Sequence, residues 1–437
     1  MRISVIGCGY LGAVHAASMA ELGHDVIGID VDPGKIQALS AAQAPFFEPG
    51  LTDILKSAIA SGRLTFSTNP ADARSSQVHF IAVGTPQKKG ENAADLRFVD
   101  AAIDGLIPHL SEGDLVVGKS TVPVGTAARL AQKIADSGSG ASLAWNPEFL
   151  REGFAVKDTL TPDRLVYGVP SGEAGEAAKR LLDEVYASAI AAETPLVVTD
   201  YATAELVKVS ANAFLATKIS FINAMAEISE VAGADVTALA DAIGFDARIG
   251  RRFLNAGIGF GGGCLPKDIR AFSARAEELG RGESVRFLLE IDAINMRRRD
   301  RAVDMVVEAL GGQVYKKKVA VLGLAFKPDS DDVRDSPALD VAVRLNGLGA
   351  HVIATDPEAI PNSIRLQPQL GFATDTHDAL HGADVVVLVT EWKEYRELDP
   401  VTVGDLVREK VIIDGRNVLD PGRWRDAGWT YRGMGRP

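Results

Sequence analysis

Gly7, Gly9 and Gly12 stand near the N-terminus in the pattern Gly-x-Gly-x-x-Gly, and Asp30 follows eighteen residues after the last of them. Glycines at this spacing let the backbone approach a pyrophosphate, place a helix N-terminus against its charge, and leave a later acidic side chain for the ribose hydroxyls of a dinucleotide. A carboxylate at position 30 also opposes a 2′-phosphate, which favours NAD over NADP. The glycines alone would suit a tight structural turn. The apolar run before them, the helical stretch after them and the placement of Asp30 decide for a cofactor site.

Further groups with chemical potential follow the predicted strands, where ligands of doubly wound sheets bind. They are Gly84-Thr85-Pro86, Ser120-Thr121-Val122-Pro123, and the run from Asn146 to Glu152. Pro, Asn and Ser also end strands for reasons of turn geometry alone. Glu148 and Glu152 flank Arg151 where catalysis is expected, and taken alone they read equally as function or as surface charge. Glu205, Lys208 and Asn212 fall on one face of a predicted helix, where a lysine is ordinarily solvated. In Gly261-Gly262-Gly263-Cys264-Leu265-Pro266-Lys267-Asp268 a thiol follows a glycine run and precedes a cation and an acid. Backbone NH groups and nearby positive charge lower a thiol's pKa, so Cys264 is the expected nucleophile and Cys8 a small buried hydrophobe. No metal site is expected: His377 and His381 have helical ligand spacing but lack a third ligand. The runs Arg297-Arg298-Arg299 and Lys316-Lys317-Lys318 read as exposed helix and strand-edge charge.

These groups need a frame to hold them. The chain opens with an apolar run at 3–6, a helical stretch at 13–22 and a second apolar run at 26–29, a β-α-β unit. Short strands are predicted at 78–83, 115–117 and 143–145, with a surface loop at 137–140, and 197–198 marks the last strand and edge of the domain. Strands alternating with helices imply a parallel sheet covered on both faces. A helical pattern then runs from about 201 to 232 without Gly or Pro, and helical segments continue to about 301, broken by the glycine-dense stretch 257–263. The opening theme returns as a strand at 319–322, Gly323, a helix at about 336–348 and a strand at 351–354. The expected fold class is α/β, with two Rossmann-like doubly wound domains joined by a helical segment with a long central helix. The expected division is a dinucleotide-binding domain at 1–200, a central helical and dimerisation segment with the Cys loop at 201–300, and a second Rossmann-like domain at 301–437.

With 437 residues, 46% hydrophobic and 24% charged, the composition is that of a globular protein large enough for two or three domains. The formal charge of −12 argues against nucleic acid or a membrane surface as partner. Two cysteines far apart fit a reducing cytoplasm, and the first apolar run breaks too soon at Gly7 for a signal peptide.

The ordered motifs resemble the UDP-glucose/GDP-mannose dehydrogenase family over nearly the whole length. They are Gly7-Cys8-Gly9-Tyr10-Leu11-Gly12, Val83-Gly84-Thr85-Pro86, Ser120 to Thr126, Asn146 to Gly153, the Cys264 loop, Gly323-Leu324-Ala325-Phe326-Lys327-Pro328 with Asp332-Val333-Arg334, and Asp414-Gly415-Arg416-Asn417. One departure is Gly263, where the family commonly has serine. The resemblance implies four-electron oxidation of a nucleotide sugar by NAD. UDP-glucose is favoured, with GDP-mannose or a UDP-N-acetylhexosamine as alternatives and a two-electron NAD dehydrogenase as a more distant one.

By the same resemblance Cys264 is the nucleophile, while Lys208, Asn212 and Asp268 stabilise and protonate or deprotonate the reacting oxygen. Thr121, Glu148 and Glu152 position water and the nicotinamide. NAD is expected on Gly7, Gly9, Tyr10, Leu11, Gly12, Asp30, Lys35, Thr85, Thr121, Glu152, Lys267 and Arg334. The nucleotide sugar is expected on Glu148, Phe149, Leu150, Arg151, Glu152, Lys208, Asn212, Arg248, Phe253, Leu254, Asn255, Ala256, Gly257, Gly261, Phe326, Lys327 and Arg416. The long helix is expected to join two subunits, with Arg248 reaching a neighbour's sugar. Chemistry explains the cysteine: an aldehyde yields a second hydride only after a nucleophile has added to it.

Overall fold

The computed structural model describes every residue from Met1 to Pro437, and the chain divides into two compact units, Met1–Ala211 with Ala274–Gly280, and Asn212–Ser273 with Arg281–Pro437. The first unit is built on eight strands, β1 (Arg2–Ile6), β2 (Asp25–Ile29), β3 (Leu64–Ser67), β4 (Val78–Ile81), β5 (Leu115–Gly118), β6 (Ser142–Trp145), β7 (Leu165–Gly168) and β8 (Leu196–Thr199). Their order in the sheet is β3-β2-β1-β4-β5-β6-β7-β8. The chain thus winds outward from β1 in both directions, which opens a crevice at the carboxyl ends of β1 and β4.

Alternation along the strands supplies both faces of this sheet with apolar cover. On β5, Leu115 and Val117 join a core with Ala13, Val14 and Ala17 of the helix Tyr10–Glu21. Val116 turns to the other face, among Ile103, Leu130 and Ile134. The strand expected at 197–198 is β8, and it is the sheet edge, with Val197 and Val198 49% and 43% exposed. Two strands depart from the expected parallel sheet: β7 meets β6 antiparallel through Trp145 and Gly168, and β8, parallel to β7, shares its reversed direction.

The second unit carries a six-stranded parallel sheet. Its strands are β9 (Lys318–Leu322), β10 (His351–Thr355), β11 (Gly371–Phe372), β12 (Val385–Leu388), β13 (Val411–Asp414) and β14 (Thr430–Gly433), in the order β11-β10-β9-β12-β13-β14. Strands β9 and β12 are almost wholly apolar and form the middle of its core. The helix Tyr201–Ala232 begins in the first unit and ends in the second, within the span expected of it. No helix is long and apolar enough to cross a membrane.

The triplet Arg297-Arg298-Arg299 corrects the expectation of solvated charge. On the helix Phe287–Ala309 only Arg297 is exposed, whereas Arg298 is 0% and Arg299 3% exposed. Arg298 donates to the Gly257 carbonyl and pairs with Glu230 at 3.1 Å, and Arg299 pairs with Asp335 at 2.8 Å. Burying guanidinium groups is tolerated because each meets an acid and a carbonyl. Their partners lie far away in sequence, so a local reading of the triplet could not find them.

Candidate functional site

The first crevice forms where β1 ends. Gly7 takes φ +92° and its NH donates to the Ile29 carbonyl at 2.7 Å, joining the turn to the end of β2. A Cβ at Gly12 would overlap the Gly7 carbonyl oxygen, so the helix Tyr10–Glu21 can start this close to the strand only with glycine there. Nothing lies within 4 Å of where a Cβ of Gly9 would stand, which leaves the backbone there open to a ligand. Asp30 is buried at the end of β2, accepting from the Cys8 NH at 2.8 Å, the Asp32 NH at 3.0 Å and Lys35 Nζ at 2.8 Å. Burial pushes the Asp30 pKa up, but Lys35 and the two NH groups outweigh it and hold the carboxylate below its ordinary range. Lys35 therefore reaches the predicted cofactor site through Asp30. Cys8 is fully buried below this loop, and burial followed by the Asp30 charge pushes its thiol up to about 12. An open glycine turn with an ionised acid beyond it fits an adenine dinucleotide.

The loops after β4, β5 and β6 are tied together in the same unit. Thr85 Oγ1 donates to the Thr121 carbonyl at 2.8 Å, and Ser120 Oγ donates to that of Val83 at 2.7 Å. Glu48, far from this region in sequence, accepts from Tyr10 OH, from the Gly153 NH at 2.7 Å and from the Ala155 NH at 2.7 Å. It thereby joins the dinucleotide turn to the loop bearing Phe149, Leu150 and Glu152, and caps the short helix Ala155–Leu160. Arg151 pairs with Asp158 at 2.6 Å. The Phe149 ring lies 5.7 Å from Lys208 Nζ and 3.9 Å from the Arg164 guanidinium. Glu205, three residues before Lys208, is buried and accepts from the NH groups of Gly125 and Ala127 at 2.7 Å each, capping the helix Thr126–Asp136.

Glu148 is held most tightly. Its Oε1 accepts from the NH groups of Phe149 and Leu150 at 2.8 and 2.9 Å, and its Oε2 meets Lys119 Nζ at 2.9 Å. Burial raises its pKa, yet Lys119 and the NH groups outweigh that and leave it below the usual carboxylate range.

In the second unit Cys264 is exposed at the start of the helix Leu265–Glu278, and the Asp268 NH donates to its carbonyl at 2.9 Å. Asp268 is buried, accepting from Asn212 Nδ2 on one oxygen and from Lys267 Nζ on the other, both at 2.6 Å. The glycine loop before the cysteine is pinned by several buried groups. Asn223 accepts from the Gly257 NH, and Asn295 accepts from the Phe260 NH and donates to its carbonyl. Arg416 donates to the carbonyls of Gly259, Phe326 and Val389 and pairs with Glu391 at 3.2 Å, and Asn417 Nδ2 reaches the Ala256 carbonyl. The Gly262 NH donates to the Arg334 carbonyl at 3.0 Å. A Cβ at Gly263 would meet only the Arg334 guanidinium, the far end of a flexible side chain that a serine there would displace at little cost. Lys327 Nζ lies 5.4 Å from the Phe326 ring. Phe253 has φ +68°, Leu254 is buried, and Asn255 accepts from Arg251. Arg248 is not drawn into this cluster: its side chain is 89% exposed and pairs with Asp246 at 2.6 Å.

Sequence reasoning missed Lys119, Glu48, Asn295 and Glu391. Lys119 carried a signal, since it directly follows an apolar strand and precedes Ser120-Thr121. Glu48 and Asn295 act on backbone groups remote in sequence and Glu391 on the remote Arg416 side chain, which no local pattern marks.

Three models of the UDP-glucose/GDP-mannose dehydrogenase family match in order: its NAD binding domain at residues 1–190, its central domain at 202–297 and its UDP binding domain at 320–421. A UDP-glucose 6-dehydrogenase of Rhizobium meliloti (strain 1021) is 42% identical over 440 residues, covering 100% of both chains. Among solved structures, a UDP-glucose dehydrogenase from the hyperthermophilic archaeon Pyrobaculum islandicum superposes with TM-score 0.90 at 38% identity, over 100% of this chain and 98% of that one. A UDP-D-ManNAc dehydrogenase from Pyrococcus horikoshii gives 0.86 at 28% identity, over 100% and 99%. With an acidic Rossmann crevice in its first unit and an exposed thiol beside a buried acid in its second, the chain belongs to the UDP-glucose/GDP-mannose dehydrogenase family.

Proposed function

We propose that this protein oxidises UDP-glucose to UDP-glucuronate, with Cys264 carrying the second half of the reaction. The observation that carries this reading is the exposed Cys264 beside the buried Asn212–Asp268–Lys267 group, in a chain 42% identical along its full length to a UDP-glucose 6-dehydrogenase. The Gly7–Gly12 turn, Asp30, Thr85, Thr121, Glu152, Lys267 and Arg334 would hold NAD, which would supply the hydride acceptor for two successive oxidations at C6 of the sugar. Asp268 and Lys208 manage the proton of the 6-hydroxyl. The Cys264 sulfur then adds to the aldehyde carbon, giving a thiohemiacetal whose oxygen Lys208 and Asn212 stabilise as charge develops. Its oxidation leaves a thioester, and water held by Glu148 and Thr121 hydrolyses it, forming the C–O bond as the C–S bond breaks. Phe149 to Glu152, Phe253 to Gly257, Gly261, Phe326, Lys327 and Arg416 hold the nucleotide sugar, and Arg248 serves a neighbouring subunit.

Counting NADH per sugar tests this. Two per UDP-glucose are expected, without free aldehyde. Cys264→Ala is expected to bind both ligands and lose about a thousandfold or more of the four-electron turnover. Cys264→Ser is expected to trap an oxygen ester visible by mass. One NADH per sugar, or an alanine variant with intact turnover, would remove Cys264 from the mechanism. Running UDP-N-acetylhexosamines and GDP-mannose alongside settles the sugar.

The protein is further proposed to be cytoplasmic and a homodimer or higher homo-oligomer. Phe214, Phe221, Ile228 and Val231 are exposed on the helix Tyr201–Ala232, the first three at intervals of seven residues, an apolar stripe fit for a second copy. Sedimentation showing an active monomer at assay concentration would contradict the dimer.

A further inference from the structure

Lys119 directly follows β5 and is 4% exposed, and no role falls to it in the scheme above. A buried lysine is costly unless each of its hydrogens finds an acceptor. Here three acceptors meet Nζ: Glu148 Oε2 at 2.9 Å, Asn146 Oδ1 at 3.1 Å and Tyr186 OH at 3.2 Å. The directions of these bonds are fixed by the neighbours. Asn146 spends Nδ2 on the Val166 carbonyl at 3.0 Å, so Oδ1 faces the lysine. Tyr186 donates its proton to the same Oδ1 at 2.6 Å and so presents a lone pair to Nζ. Glu148 accepts two backbone NH groups on its other oxygen. The pattern closes only with an ammonium at Lys119 and a carboxylate at Glu148.

The other charged and titratable groups nearby do not substitute for this ion pair. A small cavity is lined by Lys119, Glu148 and His15, and His15 is fully buried with neither ring nitrogen hydrogen-bonded, its pKa held well below the ordinary value by burial and then by the Lys119 charge. Asp158, Asp163 and Arg164 also line the cavity, but Asp158 pairs with Arg151 and Arg164 stacks on Phe149. Burial depresses the Lys119 pKa, and the charge of Glu148 with the hydrogen bonds to Glu148 and Tyr186 outweighs it, leaving the lysine above its ordinary value.

We propose that Lys119 is a positioning residue for the hydrolytic half-reaction, holding Glu148 ionised and in one orientation so that it can accept a proton from the attacking water. This rests on the reading of Glu148 given under the proposed function. In that step the water oxygen bonds to the thioester carbon, the C–S bond breaks, one water proton passes through Glu148 to solvent, and the other is lost as the new carboxyl group ionises. The thiolate of Cys264 takes up a proton from solvent.

The test uses the full chain with Lys119→Met, Lys119→Gln, Glu148→Gln and the double variant Lys119→Met/Glu148→Gln. Lys119→Gln removes the charge while keeping a polar side chain, and so serves if the methionine variant does not fold. Infrared titration of the protonated carboxyl band, assigned by its loss in Glu148→Gln, should show Glu148 protonating at distinctly higher pH once Lys119 is neutral. Turnover should fall about tenfold or more with KM for NAD within about twofold, the acid limb of the pH profile should move up, and acylated Cys264 should accumulate in the mass spectrum. The double variant should be no slower than Glu148→Gln alone, because the two residues act as one unit. An unmoved Glu148 band, or losses that multiply in the double variant, would overturn the proposal. If the wild type forms no NADH from any nucleotide sugar, the functional reading fails, and the infrared arm still decides whether Lys119 controls Glu148.

Discussion

The strand pair β1 and β2 ends at Asp30 in the first unit, and the pair β9 and β10 ends at Asp356 in the second. The two places begin alike. Gly7 at φ +92° donates its NH to the last residue of β2, and Gly323 at φ +111° donates its NH to the last residue of β10, at 2.7 and 2.9 Å. They then part. After Gly7 the chain turns into a helix at Tyr10, whereas after Gly323 it runs irregularly to Pro337. Asp30 accepts two NH groups and Lys35 Nζ, a lysine whose side chain is 27% exposed. Asp356 accepts from the NH groups of Leu324, Ala325, Glu358 and Ala359 and from the Trp392 indole, and is 3% exposed. The first acid takes three donors and the second five, all five from its own unit. The same fold thus offers a dinucleotide crevice once, and the matches of separate NAD binding and UDP binding family domains accord with that division.

The largest effect expected from this contrast is on stability. Asp356→Ala orphans four backbone NH groups and an indole, and should cost about 3–5 kcal/mol, read by calorimetry, while the dissociation constant for NAD stays within about twofold. Asp30→Ala should do the reverse: a loss of about ten- to a hundredfold in NAD affinity by titration calorimetry, with a stability loss less than half that of Asp356→Ala. Should Asp356→Ala weaken NAD binding as much as Asp30→Ala, the second crevice would be a dinucleotide site after all.

The contrast also marks what could be read from the sequence. The first β-α-β unit was legible because period, glycines and acid agree over thirty residues, and the edge at Val197-Val198 and the helix Tyr201–Ala232 were legible from runs of uniform character. The antiparallel turn of β7 was not, because strand direction depends on pairing with β6 rather than on any pattern within Leu165–Gly168. For the candidate site, residue types and their positions after strands were legible, but not their contacts. Lys119, Glu48 and Arg298 look like solvated charge until Glu148, Tyr10 and Glu230 are brought to them from distant segments. The saturation of Asp356 was equally hidden, since four of its five donors are backbone groups and the fifth comes from Trp392.

The smallest expected effect concerns pH, and it has opposite signs in the two units. Asp30 is held below the ordinary aspartate range, so its contribution to stability is complete above that range and is lost as pH falls through its folded value. Asp414, at the end of β13, is pushed up by burial, more than its bonds from Leu419, Arg416 and Tyr431 bring it down. A raised carboxyl favours the folded state most when protonated, so its contribution falls as pH climbs from the ordinary aspartate value through the folded one. Melting curves between about pH 6 and pH 3 should separate the two signs. The gap between wild type and Asp30→Asn should narrow on acidification, because the wild type loses a stabilising charge that the variant never had. The gap between wild type and Asp414→Asn should move the other way, because acid relieves the wild type of a buried charge. Gaps moving in the same direction would mean that Asp30 and Asp414 sit in equivalent surroundings.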